Sequence, residues 1–236
     1  MNIQTAIYAH LPAASRVTVI DDDEFGCEEI SDHLRDFGFE PSAVTGRFDD
    51  RLAEMVAAIE ATNPSFVICD NRLQPRQMAN FYGVSVVKTL VERSRPAMLL
   101  TTYASPDRVT LRASRFEVPV IVDRGAFSPE HLSDYFEICR REIADDPVDH
   151  RRPRRSLIRI DGISTDQQPL LDVVVPNWRP DHAVSIPISC VAAELHGALR
   201  PGMYLFGQVN IGASDEDELF FHDVNTIAPE PSEALA

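Results

Sequence analysis

The sequence predicts an α/β domain, an open, doubly wound parallel sheet, followed by a smaller β-rich domain with one short helix. Three observations predict this. Between residue 16 and about residue 144, five short β-branched or apolar runs alternate with amphipathic stretches, and β–α alternation builds parallel sheets covered by helices. Three of the runs are almost continuously apolar, as central strands buried on both faces must be. Beyond residue 156 the helical pattern stops and strand-like segments dominate.

The runs are RVTVI (16–20), FEPSAV (39–44), SFVIC (65–69), AMLLT (97–101) and VPVIV (118–122). In the first helical stretch Phe25, Ile30, Leu34 and Phe37 recur near helical spacing, with Gly38 placed as a C-cap. Leu52, Met55, Val56 and Ile59 form a second stripe that ends before Asn63-Pro64. Val84, Val87, Leu90 and Val91 form a third. The last helix opens at Ser128 as N-cap, with Pro129 at its first position and Glu130 in its first turn. The segment 145–156 carries two prolines, an acidic start and the cluster Arg151, Arg152, Arg154 and Arg155, and reads as a linker. SLIRI, LLDVVVP, AVSIPI, MYLFGQVNI and ELFFHDVNTI supply strands of the second domain (157–228), with a short helix from about Cys190 to Leu199 capped by Ser189. Residues 1–15 read as a loose arm and 229–236 as a frayed tail.

Of 236 residues, 22 are Lys or Arg and 37 are Asp or Glu, a net charge of −15. This argues against binding nucleic acid through bulk electrostatics. No apolar run reaches the ~18 residues of a membrane span, and the N-terminus lacks the basic-then-apolar pattern of a signal peptide. Cys27, Cys69, Cys139 and Cys190 are widely spaced and form no CxxC pair; reduced thiols in a cytoplasmic protein are the expectation.

The first strand runs into Asp21, Asp22 and Asp23, the third ends at Asp70 and the fourth at Thr101. Open α/β sheets place their chemistry at the carboxyl ends of strands. In a sheet ordered 2-1-3-4-5, strands 1, 3 and 4 are neighbours, so these carboxylates and one hydroxyl share a cleft. Crowded anions raise each other's pKa values, and a hard divalent cation such as Mg²⁺, with its preference for oxygen ligands, relieves them.

VTVIDDDEF, SFVICDNRL, PAMLLTTYA and AFSPEHLSDYFEIC together resemble the receiver domain of two-component response regulators, over residues 16 to about 144. The resemblance implies the flavodoxin-like order 2-1-3-4-5 and a signalling protein in place of an enzyme. It implies that Asp70 is the phosphoacceptor. It also implies that Asp21 or Asp22, mainly Asp22, binds Mg²⁺ with Asp70 and the backbone carbonyl of Arg72, and that Thr101 bonds the phosphoryl group and moves on activation. A histidine kinase or phosphotransfer protein is the implied donor. The β-rich domain would be the output, with an unidentified protein as its partner, and family analogy adds a homodimer through the face of the fourth and fifth helices.

The chain departs from the family pattern in several places. Receivers place a lysine after the fifth strand; here the matching position is Asp123 or Arg124, and only the arginine supplies positive charge. Thr102 is larger than the usual small residue after the switch threonine, and VPVIV lacks the switch aromatic. The loop NRLQPRQMANFYG after Asp70 is longer than typical and reads as a lid or a docking surface.

These departures keep a second reading open, a receiver-like scaffold or adaptor that works without phosphate. A third is a haloacid-dehalogenase-type phosphatase with Asp21 as nucleophile and Asp23 as acid; it needs a later lysine, and none follows Thr101. Arg151 and Arg155 match half of the cyclic-di-GMP motif of PilZ domains, whose second half is absent. His182, His196 and His222 lack zinc-site spacing. Trp178 and the Phe220-Phe221 pair read as core.

Overall fold

The computed structural model describes residues 11–102, 109, 111–164 and 168–229. Most of the predicted N-terminal arm and nearly all of the frayed tail lie outside the described residues. Packing divides the chain into two units, Met1–Tyr103 with Glu117–Asp146, and Ala104–Phe116 with Pro147–Ala236.

The first unit is a five-stranded parallel sheet in the order β2-β1-β3-β4-β5, formed by β1 (Arg16–Ile20), β2 (Glu40–Ala43), β3 (Phe66–Asp70), β4 (Ala97–Thr101) and β5 (Ile121–Asp123). Among the described residues, four helices accompany it: α1 (Glu24–Asp36), α2 (Leu52–Ala61), α3 (Gly83–Glu92) and α4 (Leu132–Ile143). Every residue of β3 and β4 is buried. Val17, Val19, Phe66, Ile68, Met98 and Leu100 share one face of the sheet with Ile30 and Leu34 of α1 and Leu132 and Cys139 of α4. The alternate strand residues Val67, Cys69, Ala97 and Leu99 are equally buried, as are Met55, Val56 and Ile59 of α2 and Val86, Val87 and Leu90 of α3. Burial of both faces accounts for the unbroken apolar runs.

Local chemistry sets the ends of these elements. Asp23 accepts the Phe25 N–H and caps α1. At its other end Gly38 sits at φ +79°, where a side chain would be strained, and lets Phe39 N–H reach the Leu34 carbonyl. Pro41 is confined to β2, an edge strand.

Three boundaries differ from expectation. The α1 stripe holds only at Ile30 and Leu34, because Phe25 and Phe37 are exposed. The five-residue step from Phe25 to Ile30 turns a helix about 140° out of phase. Strand β5 begins at Ile121, after residues expected to be in it. Pro119 lacks an N–H, and the ladder starts where Leu99 N–H meets the Val120 carbonyl. Ser128 opens a 3₁₀ turn (Pro129–His131) without a side-chain cap, and α4 follows at Leu132.

The second unit contains a five-stranded antiparallel sheet: β6 (Arg154–Ser164), β7 (Leu170–Val174), β8 (Ala183–Pro187), β9 (Tyr204–Val209) and β10 (Phe221–Ile227), ordered β10-β9-β6-β7-β8. Val191, just past β8, bridges Val224 of β10 in parallel, and Ala192 N–H donates to the Val224 carbonyl. The two ends of the sheet are thus tied, as in a partly closed five-stranded Greek-key barrel. Ile158, Ile160, Leu171, Val173, Ile186, Leu205 and Phe221 fill its interior. Phe220 is also buried, and half-buried Trp178 packs on the core and donates Nε1–H to the Ala213 carbonyl at 2.7 Å. The helix expected over 190–199 is instead two 3₁₀ turns, Ile188–Cys190 and Ala193–Ala198, and Ser189 caps neither. Arg154 and Arg155, read as linker, begin β6, where Arg155 stacks on Phe206.

Residues 109 and 111–116, which lie between β4 and β5 in the chain, also belong to this second unit. Arg112 is buried and donates to the carbonyls of Ser185 and Glu216, with Asp217 at 3.8 Å. Phe116 stacks on His222 at 3.8 Å between ring centroids. No helix among the described residues is long and apolar enough to cross a membrane. Arg112→Ala leaves two carbonyls and a carboxylate without their cation, so denaturation of the full chain should show a loss of roughly 3 kcal/mol, the cost of breaking a buried ion pair. A loss under about 0.5 kcal/mol, typical of surface sites, would show that the guanidinium anchors nothing.

Candidate functional site

The sheet register brings the sequence-selected residues together. Ile20 pairs with Cys69 and Asp70 with Leu100, so the next residues, Asp21 and Thr101, emerge beside Asp70 at the same end of the sheet. Asp21, Asp22 and Asp70 each offer one oxygen, all three within 4.8 Å of one another, the one such group of acidic, His or Cys residues among the described residues. They line a cleft of about 420 Å³ with Phe25, Gly26, Arg72, Pro75, Thr102 and Arg124.

Each of the three consecutive aspartates has a separate task. Asp21 is buried; one oxygen accepts its neighbour Asp23 N–H at 2.8 Å and the other bonds Arg124. Asp22 accepts the backbone N–H of Arg76 at 2.6 Å. Asp23 is committed to the α1 cap and to the Arg76 guanidinium at 2.9 Å. The long loop after Asp70 therefore crosses to the acidic turn. It is anchored by buried Leu73 and Met78 and by bonds from Phe48 N–H to the Met78 carbonyl and from Asn80 N–H to the Asp49 carbonyl.

The two alternatives after β5 separate. Asp123 accepts the Gly125 N–H at 2.8 Å and caps the 3₁₀ turn Arg124–Ala126. Arg124 turns into the cleft, where its Nη2 bonds Asp21 and reaches Asp70 Oδ1 at 2.9 Å. The other Asp70 oxygen accepts the Arg72 N–H at 2.7 Å. Arg72 thus stands on the cleft wall, where its amide donates to Asp70. Thr101 is buried, and its Oγ1 has no hydrogen-bond partner among the described residues. A buried hydroxyl left unsatisfied is costly.

Burial raises the pKa of Asp70, with Asp21 adding to the rise, although the hydrogen bond and charge of Arg124 and the Arg72 N–H oppose it. For Arg124 burial alone would lower the pKa, but its bonds to Asp70 and Asp21 raise it above the usual arginine value. All four cysteines are free, two buried and two partly buried. Burial keeps the Cys69 thiol, beside Asp70, protonated.

The sequence reading misses two glycines. A Cβ on Gly83 would lie 1.9 Å from the Asp70 carbonyl oxygen, so the start of α3 presses directly on the backbone of Asp70. Gly26 is similarly crowded by Arg124 and Asp21. The available signal is a glycine inside a helical stretch, which costs about 1 kcal/mol relative to alanine and asks for a reason.

Two consequences are measurable. Because the folded pKa of Asp70 is raised, its protonated form is favoured by folding; that contribution is present below the unfolded pKa and lost as pH rises through the folded one. Asp70→Asn should therefore raise the melting temperature at pH 7, with the gap closing as pH falls toward about 4, the ordinary aspartate range; a mutant less stable at neutral pH contradicts this. Gly83→Ala should cost several kcal/mol, roughly 3 as for severe overpacking, in urea unfolding, because a backbone atom cannot step aside.

No protein-family model matches the sequence, and no curated protein matches it. Solved structures with related folds include a response regulator receiver domain from Clostridium thermocellum, at 15% identity over 53% of this chain and 94% of that one, TM-score 0.41. The chemotaxis response regulator CheY4 of Vibrio cholerae gives 21% identity over 54% and 99%, TM-score 0.40. The response regulator TrrA of Thermotoga maritima, solved with Mg²⁺ and BeF, gives 21% over 53% and 98%, TM-score 0.40.

Proposed function

We propose that the chain is an atypical response regulator in which Asp70 accepts a phosphoryl group from a histidine kinase or phosphotransfer protein. One observation carries the reading: a largely buried triad of carboxylate oxygens within 4.8 Å meets a cation, Arg124, and a buried hydroxyl with no partner among the described residues, Thr101. A solvated acidic turn needs neither the cation nor the hydroxyl.

The donor set is hard oxygen and fits Mg²⁺. Asp21, Asp22 and Asp70 would hold the ion, with the backbone carbonyl of Arg72 as a further ligand. Bound there, Mg²⁺ supplies charge compensation for the carboxylates and an incoming phosphoryl group. A carboxylate oxygen of Asp70 attacks phosphorus, the phosphorus–nitrogen bond of the phosphohistidine breaks, and the electron pair leaves on the imidazole. The Arg72 N–H fixes one Asp70 oxygen and Arg124 the other, which orients the nucleophile before attack.

The new group carries about −1.5 to −2 charges if it behaves like other protein phosphates. Arg124 and the Thr101 hydroxyl are placed to meet it. Thr101 is also the last residue of β4, and residues 104–116 beyond it belong to the second unit. A shift of Thr101 toward the phosphoryl group has a covalent path to that unit, which would act as the output, most simply by binding a protein.

Incubation with Mg²⁺ and a small phosphodonor such as acetyl phosphate, followed by intact-mass measurement, should add one phosphoryl group to the wild type and none to Asp70→Asn. Thr101→Ala should still be labelled, with weaker coupling to the second unit read by the intrinsic fluorescence of Trp178. Binding of beryllofluoride without covalent modification or any response would favour a scaffold. Steady hydrolysis of a phosphomonoester that depends on Asp21 and survives Asp70→Asn would replace the proposal with a phosphatase.

A further inference from the structure

Gly26 lies in the first turn of α1, buried, at an ordinary helical φ. Its backbone makes no demand that only glycine meets, and glycine weakens a helix. The reason for it must be space. A Cβ there would stand 2.8 Å from Arg124 Nη1 and 2.9 Å from Asp21 Oδ2, closer than carbon and those atoms approach. Asp21 is buried and held by the Asp23 N–H and by Arg124, so it has nowhere to move. The guanidinium is the far end of a flexible chain and would be the group displaced.

The contacts of Arg124 divide between its two terminal nitrogens. Nη2 alone bridges Asp21 and Asp70, which a single ammonium nitrogen could also do. Nη1 is the atom that faces Gly26. An arginine in this position therefore needs room that a lysine, with one terminal nitrogen, does not.

We propose that Gly26 is the positioning residue that admits the Arg124 guanidinium to the phosphoacceptor cleft, the two residues being matched as a pair. With Gly26 in place, Arg124 bridges Asp21 and Asp70 through Nη2 and keeps Nη1 available, so it presents a planar pair of donors to a phosphoryl group instead of a point charge. This rests on the proposed phosphoryl-acceptor function for its consequence, but the pairing itself is a matter of packing.

The test is a double-mutant cycle in the full-length protein: wild type, Gly26→Ala, Arg124→Lys and the combined variant, each read by beryllofluoride affinity in the presence of Mg²⁺ and by thermal melting without either. With Arg124 retained, Gly26→Ala should weaken beryllofluoride binding by about tenfold, the worth of one charge-assisted contact, and lower the melting temperature. Introduced on top of Arg124→Lys, the same substitution should leave affinity unchanged and lower the melting temperature by less, because only the approach to Asp21 Oδ2 then opposes its Cβ. Equal effects of Gly26→Ala in both backgrounds would overturn the pairing. A wild type that binds no beryllofluoride while Gly26→Ala still costs more melting temperature beside Arg124 than beside Arg124→Lys would sink the phosphoryl-acceptor function and leave the pairing standing.

Discussion

The first unit depends on a single electrostatic constraint: two buried carboxylates, Asp21 and Asp70, stand at the ends of adjacent strands and need a cation between them. At a separation of about 5 Å their repulsion is roughly 3 kcal/mol at an effective dielectric of about 20. Arg124 provides that cation. It comes from the turn after β5, beyond β3 and β4 from Asp21, so the ion pair reaches across the sheet where the parallel strands end. The order 2-1-3-4-5 is what lets these residues meet, and that order in turn requires buried, two-sided central strands. The unbroken apolar runs of β3 and β4 and the polar residues at their ends, Asp70 and Thr101, are two halves of one design.

The surroundings of that pair are arranged to keep charge near the cleft in a definite geometry. Asp22 and Asp23 do not simply add to the repulsion. They face the loop after Asp70, where the Arg76 amide and guanidinium engage them, and Asp23 also stabilises the amino end of α1. The loop is therefore tied to the acidic turn at its middle and to the sheet at both ends, through Asn71, whose N–H donates to the Leu100 carbonyl, and through Gly83 against the Asp70 carbonyl. A loop built this way holds Asp70 from behind while leaving its carboxylate facing the cleft. Burial there raises the Asp70 pKa against the pull of Arg124 and the Arg72 N–H.

Much of this is legible in the sequence, and the limits of that legibility have physical causes. Strand and helix positions follow from apolar period, which is why β1, β3, β4 and the cores of α1, α2 and α3 can be read directly. Asp21, Asp22, Asp70 and Thr101 can be read because topology alone brings strand ends together. The choice between Asp123 and Arg124 cannot, since a one-residue shift in a three-residue strand decides it; the cap that Asp123 makes on Gly125 settles which side chain is free to enter. Gly26 and Gly83 are invisible because their role is the absence of an atom, which only neighbours distant in sequence reveal. Ser128 and Ser189 have the composition of caps without the helices to use them, local preference yielding to 3₁₀ turns imposed by packing.

The second unit reads from the sequence as β-rich, but not as a unit that takes in residues from between β4 and β5. Nothing in the sequence around Arg112 announces that two carbonyls more than seventy positions away hold it. Residues 111–116 are part of the second unit's own packing, with Phe116 stacked on His222 and Arg112 bonded to β8. Arg112 is held there by two carbonyls with a carboxylate nearby, so this segment cannot leave the second unit's packing without stranding a buried guanidinium.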